Sequence, residues 1–233
     1  MDIAIKFGGS LLFNKEGDIE RNLLQKLVEI MKKGKNIKSI VTGGGLIARK
    51  YIDYGRSLGI NESYLDLLGI DVSRVNARLL IGLLGDIAYP IVIKTIDDAK
   101  LAFALNKIGI SGGFLPGQST TTVVLQIAEA INIKKIIILS DVDGIYSKNP
   151  KLHKDAKKFN KIKTEDLEKL IINSKENQAA AGEYRIFDTV SLQLFKRNEI
   201  LVRLINGKNM DNLKKLLNDD FESSNIGTLI TKD

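Results

Sequence analysis

Ile3-Ala4-Ile5-Lys6-Phe7-Gly8-Gly9-Ser10 decides the class of fold. A short, mostly apolar run passes straight into two glycines, the pattern of a buried strand that ends in a turn. Working outward, the same grammar repeats. Residues 37–42 form a second such run, broken by Gly43-Gly44-Gly45. Residues 135–139 form a third, continuous and β-branched, as expected of a buried parallel strand. Between these runs the apolar residues change period. Ile19, Leu23, Leu24, Leu27, Val28 and Met31 fall at helical spacing before Gly34. The segment after Gly45 reads as helical for some forty residues, with Leu65, Leu68, Val72, Val75, Leu79 and Leu83 on one face. Residues 90–93 and 107–110 read as strands around a helix at 97–106, and a helix follows at 119–131. Residues 144–163 are lysine-rich and read as loop, short helices follow, and strands are expected at 200–204 and near 228–231. Strands that alternate with helices imply an α/β fold, a mainly parallel sheet with helices on both faces. No repeat, low-complexity stretch or linker divides the chain, so residues 1–233 are expected to form one domain.

Composition narrows the chemistry. Of 233 residues, none is cysteine and one, His153, is histidine. That excludes disulfides, a cysteine nucleophile and a histidine-based triad, and His153 itself sits in the lysine-rich stretch as a surface residue. The net charge of +7 is spread along the chain rather than gathered in a stripe, which suits small anionic ligands better than nucleic acid. No apolar run reaches the ~18 residues of a membrane span, and the start of the chain does not read as a signal peptide. A cytoplasmic protein is expected.

The glycine clusters carry the functional signal. Gly8-Gly9-Ser10, Gly43-Gly44-Gly45, the stretch from Gly112 to Thr120 and Asp141-Val142-Asp143-Gly144 all follow expected strands. In a parallel sheet they gather at the carboxyl edge, where ligands bind. Glycine lets backbone N–H groups face an anion, and a helix N-terminus adds partial positive charge. The Walker A pattern is absent. Gly43, Gly45 and Ala48 formally match a dinucleotide fingerprint, with Asp66 about 20 residues on. The helical context leaves no strand end at Asp66 to hold a ribose, so the match is a decoy. Lys6, a charge on an apolar strand, is either a solvated edge residue or an ammonium placed on transferred phosphate. Arg49, early in the helix after the triple glycine, could hold phosphate. Asp143 could orient Lys6 or face a nucleotide-borne metal, or be a plain turn aspartate. Lysine, backbone N–H and carboxylates suit phosphoryl transfer, which needs positioning and charge stabilisation more than a nucleophile.

These residues resemble the amino-acid-kinase superfamily, which carries Lys-x-Gly-Gly-Ser after the first strand and a triple-glycine turn after the second. Within it, archaeal UMP kinases are similar over nearly the whole chain. Gly-Gly-Gly-x-x-Ala-Arg-x-Tyr-Ile stands at 43–52, Leu-Leu-Gly-Ile-x-x-Ser-Arg-x-Asn-Ala at 67–77, Gly-Gly-Phe-x-Pro-Gly-Gln-Ser-Thr at 112–120 and Val-Asp-Gly-x-Tyr-x-x-x-Pro at 142–150. A further likeness surrounds Ala181-Gly182-Glu183-Tyr184. The resemblance implies a three-layer αβα sandwich, an acceptor half at about 1–135 and an ATP half at about 136–233. It implies ATP with Mg2+ on its phosphates as donor, UMP as acceptor and a homohexamer.

By the same resemblance Lys6 and Asp143 serve catalysis. Lys6, Gly9, Ser10, Gly45 and Arg49 would face the ATP phosphates, and Ser140, Asp141, Tyr146 and Asn149 the adenosine end. Gly44, Asp66, Phe114, Leu115, Pro116, Gly117, Gln118, Ser119 and Thr120 would hold UMP. The chain departs from the family at Ser140-Asp141 in place of Thr-Asn, at Asn149-Pro150 in place of Asp-Pro and at Asp188-Thr189-Val190-Ser191 in place of Asp-Pro-Leu-Ala. All three departures read as lying toward the donor half. The alternatives are a kinase of the same fold acting on another small acceptor, and a nucleotide-binding or storage protein without turnover.

Overall fold

The computed structural model describes residues 1–34, 36–148, 153–173, 186–218 and 220–232. In chain order the elements are β1 (Ile3–Phe7), α1 (Arg21–Lys33), β2 (Ile37–Thr42), α2 (Gly45–Ser57), α3 (Glu62–Leu84), α4 (Ile96–Ala104), β3 (Gly109–Ser111) and α5 (Thr120–Ala130). There follow β4 (Lys135–Ser140), β5 (Lys161–Lys163), α6 (Thr164–Asn173), α7 (Thr189–Arg197), β6 (Leu201–Asn206), α8 (Met210–Asn218) and β7 (Thr228–Thr231). Among the described residues the strands form one seven-stranded sheet in the order β3-β2-β1-β4-β6-β7-β5. The five strands from β3 to β6 are parallel, and β7 runs antiparallel to β6.

Two apolar cores sandwich this sheet. Side chains alternate along a strand, so Ile3, Ile5 and Phe7 of β1 enter one core while Ala4 enters the other. The first core is closed by α1, α3 and α8, through residues such as Leu27, Leu80 and Leu213. The second is closed by α4 to α7, through residues such as Ala99, Val124, Leu167 and Phe195. Burial on both faces explains why the central strands read as unbroken apolar runs.

Several expectations are corrected. The forty-residue helix after Gly45 is two helices, because Gly59 takes φ +82° and Asn61 caps α3 by accepting the N–H of Tyr64. The buried seam of α3 shares only Leu65 with the expected apolar stripe. It runs through Leu65, Ile70, Ser73, Ala77, Leu80 and Leu84, whereas Val75 is 66% exposed and Leu79 and Leu83 also face solvent. Small and polar residues sit on the seam because it packs against backbone, and an apolar count cannot see them. Residues 90–93 make only an isolated bridge, Ile93 to Ser111, and Pro90 has no N–H to extend a ladder. Ile19 precedes α1 and pairs with Phe13 instead. The lysine-rich loop contains a bridge between Tyr146 and Lys158 and ends in β5, and His153 is exposed.

Candidate active site

The strand order reverses direction at β1 and β4: the chain leaves β1 toward β2 and β3, then returns to place β4 on its other side. Loops leaving the carboxyl ends on either side of such a switch point splay apart and open a crevice. Backbone hydrogen bonds stitch these loops together. The N–H of Gly8 donates to Leu139 at 2.9 Å, that of Gly43 to Phe7 at 3.1 Å and that of Gly207 to Ser140 at 2.7 Å.

Two glycine turns meet backbone to backbone at the centre. A Cβ on Gly9 would stand 2.2 Å from the nitrogen of Gly45, and one on Gly45 would stand 2.3 Å from the oxygen of Gly9. Gly45 also takes φ +68°, which side chains disfavour. Glycine is therefore required here by contact as well as by conformation.

A cleft forms over this junction, lined by Lys6, Gly9, Gly44, Arg49, Asp66, Leu115, Gln118 and Thr120 among others. A second cleft adjoins it, lined by Asn14, Lys15, Asp141 and Lys208. Ser10 and Arg49 line both. Residues separated by more than a hundred positions thus come together, and the expected Gly9, Ser10, Gly44, Gly45, Arg49 and Asp66 share one surface with Lys6.

Lys6 is 6% exposed. Burial pushes its ammonium down to about 8, and the Asp141 carboxylate works against that shift. Asp141 also accepts a long hydrogen bond from the Ser10 hydroxyl at 3.3 Å. Asp143 does not orient Lys6: it is exposed and accepts the side-chain amide of Asn206 at 2.7 Å. Residues of one loop leave in different directions, and of the two aspartates it is Asp141 whose charge acts on the lysine. Ser140 is buried, Tyr146 lies in the loop beyond β4, and Asn149 and residues 181–184 lie outside the described residues.

The loop from Gly112 to Ser119 is held from α3. Ser73 accepts the N–H of Gly113 at 2.8 Å, and Arg74 donates to the carbonyls of Gly113 at 3.1 Å and Phe114 at 3.2 Å. Asp66 accepts the N–H of Gly117 at 2.8 Å. Asn76 reaches the other loop and donates to Gly43 at 2.9 Å. Phe114 turns into the second core, and Ser119 caps α5 by accepting the N–H of Thr122. In the sequence Ser73, Arg74 and Asn76 stand out only as part of the 67–77 motif. Their signal is polarity on the buried seam of a helix, where a polar side chain must find a partner.

Asp188 is the other residue that was missed. It was expected toward the donor half, yet it accepts the N–H of Ser119 and the hydroxyl of Thr122, each at 2.6 Å. It also caps α7 through the N–H of Ser191 at 2.6 Å. Burial pushes its carboxyl up, but the hydrogen bonds from Thr122, Ser119 and Ser191 outweigh burial and hold it below the usual carboxylate value.

Among the described residues no three His, Cys, Asp or Glu side chains converge as a metal site, and no helix is long and apolar enough to cross a membrane. The family model described as the amino acid kinase family matches residues 1–206. The uridylate kinase of Sulfurisphaera tokodaii is 39% identical over 232 residues, covering 99% of each chain. That of Methanocaldococcus jannaschii is 37% identical over 210 residues, covering 89% of this chain and 91% of the other. The crystal structure of uridylate kinase from Archaeoglobus fulgidus superposes with a TM-score of 0.82 at 26% identity, over 99% of this chain and 100% of that one. With the two glycine turns, the buried Lys6 and the cleft at the sheet's switch point, these likenesses agree: the chain belongs to the amino acid kinase family and groups within it with the archaeal uridylate kinases.

Proposed function

We propose that this chain is an enzyme that transfers the γ-phosphoryl group of ATP to UMP, giving UDP and ADP. The observation that carries the reading is the buried Lys6 ammonium, set between two glycine turns beside a pair of clefts that share Ser10 and Arg49. UMP occupies the first cleft, against Asp66 and the loop from Phe114 to Thr120. The ATP phosphates lie toward the second, which contains Asp141 and Lys208. The bond from the γ-phosphorus to its bridging oxygen breaks as a UMP phosphate oxygen attacks in line, and the negative charge that shifts to the bridging oxygen leaves with ADP. A phosphate oxygen carries no proton to be removed, so the site needs cations and N–H groups rather than a general base. Lys6 acts on that charge in a water-poor pocket, where it counts for more than in solvent. Mg2+ carried on the ATP phosphates would neutralise part of their charge; the carboxylates that line the second cleft are Glu16, Glu20 and Asp141.

The reaction supplies UDP for pyrimidine nucleotide synthesis in the cytoplasm. The exposed stripe of Val75, Leu79 and Leu83 on α3 offers an apolar face for association of copies, and the homohexamer is what the family resemblance implies. An ADP-release assay with Mg·ATP and UMP, CMP, dUMP, carbamate, acetylglutamate or isopentenyl phosphate tests the substrate. Turnover confined largely to UMP is expected, and turnover on another member of the panel instead would overturn the assignment.

A further inference from the structure

Two helices begin at one carboxylate. Oδ1 of Asp188 accepts the N–H of Ser191, capping α7, and the hydroxyl of Thr122 in the first turn of α5. Oδ2 accepts the N–H of Ser119, the residue that caps α5. Thr121 adds a hydrogen bond to the carbonyl of Ile186. The first turn of α5 and the residue before its cap present Thr120 and Gln118 to the cleft. Only an ionised carboxylate, which accepts and never donates, meets three donors at once, and its charge suits the positive ends of both helices. The side-chain oxygen of Gln118 is buried without a partner, which places a recognition atom next to the segment that Asp188 fixes.

We propose that Asp188 is a positioning residue for the acceptor. It joins the start of α7 to the start of α5 and so sets where Gln118 and Thr120 stand against the bound nucleotide. The inference rests on the UMP-kinase reading above.

The chemistry supplies a selective test, Asp188→Asn. Asparagine caps helices about as well as aspartate, so its oxygen keeps Ser191 and Thr122. Its amide then points N–H groups at the N–H of Ser119, donor against donor, so the bond to the cap of α5 is lost while the one to Thr122 remains. Steady-state kinetics and equilibrium UMP titration are run on the unaltered protein, D188N, T122V and S191A, with melting temperatures for each. D188N is expected to raise the KM and Kd for UMP about tenfold, the scale of one lost charge-assisted hydrogen bond. Its kcat and its KM for ATP should stay within about threefold. T122V, which loses one bond on the α5 side alone, should raise both UMP constants about threefold and serves if D188N does not fold. S191A weakens only the α7 cap and should lower the melting temperature with UMP constants unchanged. Lower melting temperatures in D188N and T122V with UMP constants unmoved would overturn the proposal and leave Asp188 a purely structural cap. Failure of the unaltered protein to bind or turn over UMP would overturn the reading of function, and this inference with it.

Discussion

The two loops that frame the cleft are built in opposite ways. The loop proposed to hold the acceptor, Gly112 to Ser119, is pinned along its backbone: Ser73, Arg74, Asp66 and Asp188 each hold a peptide group of it. Among its described residues the loop after β4, on the proposed donor side, is held largely through side chains: Ser10 donates to Asp141, Asn206 donates to Asp143, and Thr228 accepts the N–H of Ile145. Hydrogen bonds from a rigid helix fix a loop to fractions of an ångström, which recognition of one acceptor requires. Of the three departures from the family pattern, Ser140-Asp141 falls on the loop held through side chains, and Asn149-Pro150 lies outside the described residues. The third keeps its aspartate, and that aspartate holds the other loop.

The sharpest way to break this comparison is at the residue between the loops. Lys6→Met is expected to cut kcat about 10² to 10³-fold, the usual loss of one charge-stabilising donor, with little change in either KM. The same variant should be more stable at pH 7. The folded-state pKa of Lys6 is lowered from 10.5 to about 8, so the unfolded chain binds the proton more readily and burial of the ammonium opposes folding below pH 8. That cost is relieved as the pH rises from about 8 to 10.5, and it is on the order of 3 kcal/mol. A melting temperature at pH 7 that falls in Lys6→Met would contradict the burial argument.

Gly9→Ala comes next. Its Cβ would overlap the backbone of Gly45, so the two turns must separate, at about 1–3 kcal/mol of stability. Activity should fall with both KM values raised, because the junction belongs to neither loop alone; retained wild-type kinetics would show that the turns can part freely.

Arg74→Ala tests the pinned loop by itself. Loss of its two hydrogen bonds to Gly113 and Phe114 should raise the KM for UMP several-fold, about 1 kcal/mol, with the KM for ATP unmoved. Equal changes in both would show that α3 does not serve the acceptor side selectively.

Asp141→Asn is the smallest expected effect and is read in the pH profile. Asp141 raises the pKa of Lys6, so its removal should move the alkaline limb of kcat, expected near pH 8, to lower pH, because the active ammonium then loses its proton sooner. Asp143→Asn, on an exposed carboxylate, should leave that limb in place. The reverse pattern would restore Asp143 as the partner of Lys6.

Most of the architecture was legible because burial leaves a period in the sequence. Strands β2 and β7 and the end of β1 at Gly8-Gly9 stand where the runs and glycines indicate, and α5 begins one residue after the expected start at 119. The mistakes share a cause. The outer stripe of α3 is apolar and exposed, while its inner seam carries Ser73 and Asn76 bonded to loop backbone. An apolar count assigns such a helix to the wrong face, and polar residues that serve distant peptide groups look like surface residues.

By itself the sequence determined the alternating strands and helices, the glycine turns at strand ends and a lysine placed among them, since each is a local pattern set by chain geometry and burial. Only the tertiary structure decided that Asp141 is the carboxylate acting on the charge of Lys6, that α3 holds the loop from Gly112 to Ser119, and that Asp188 is bonded to the end of that loop. Those pairings join residues as far as 135 positions apart, Lys6 to Asp141. They depend on how the elements cross in space, which no local period records.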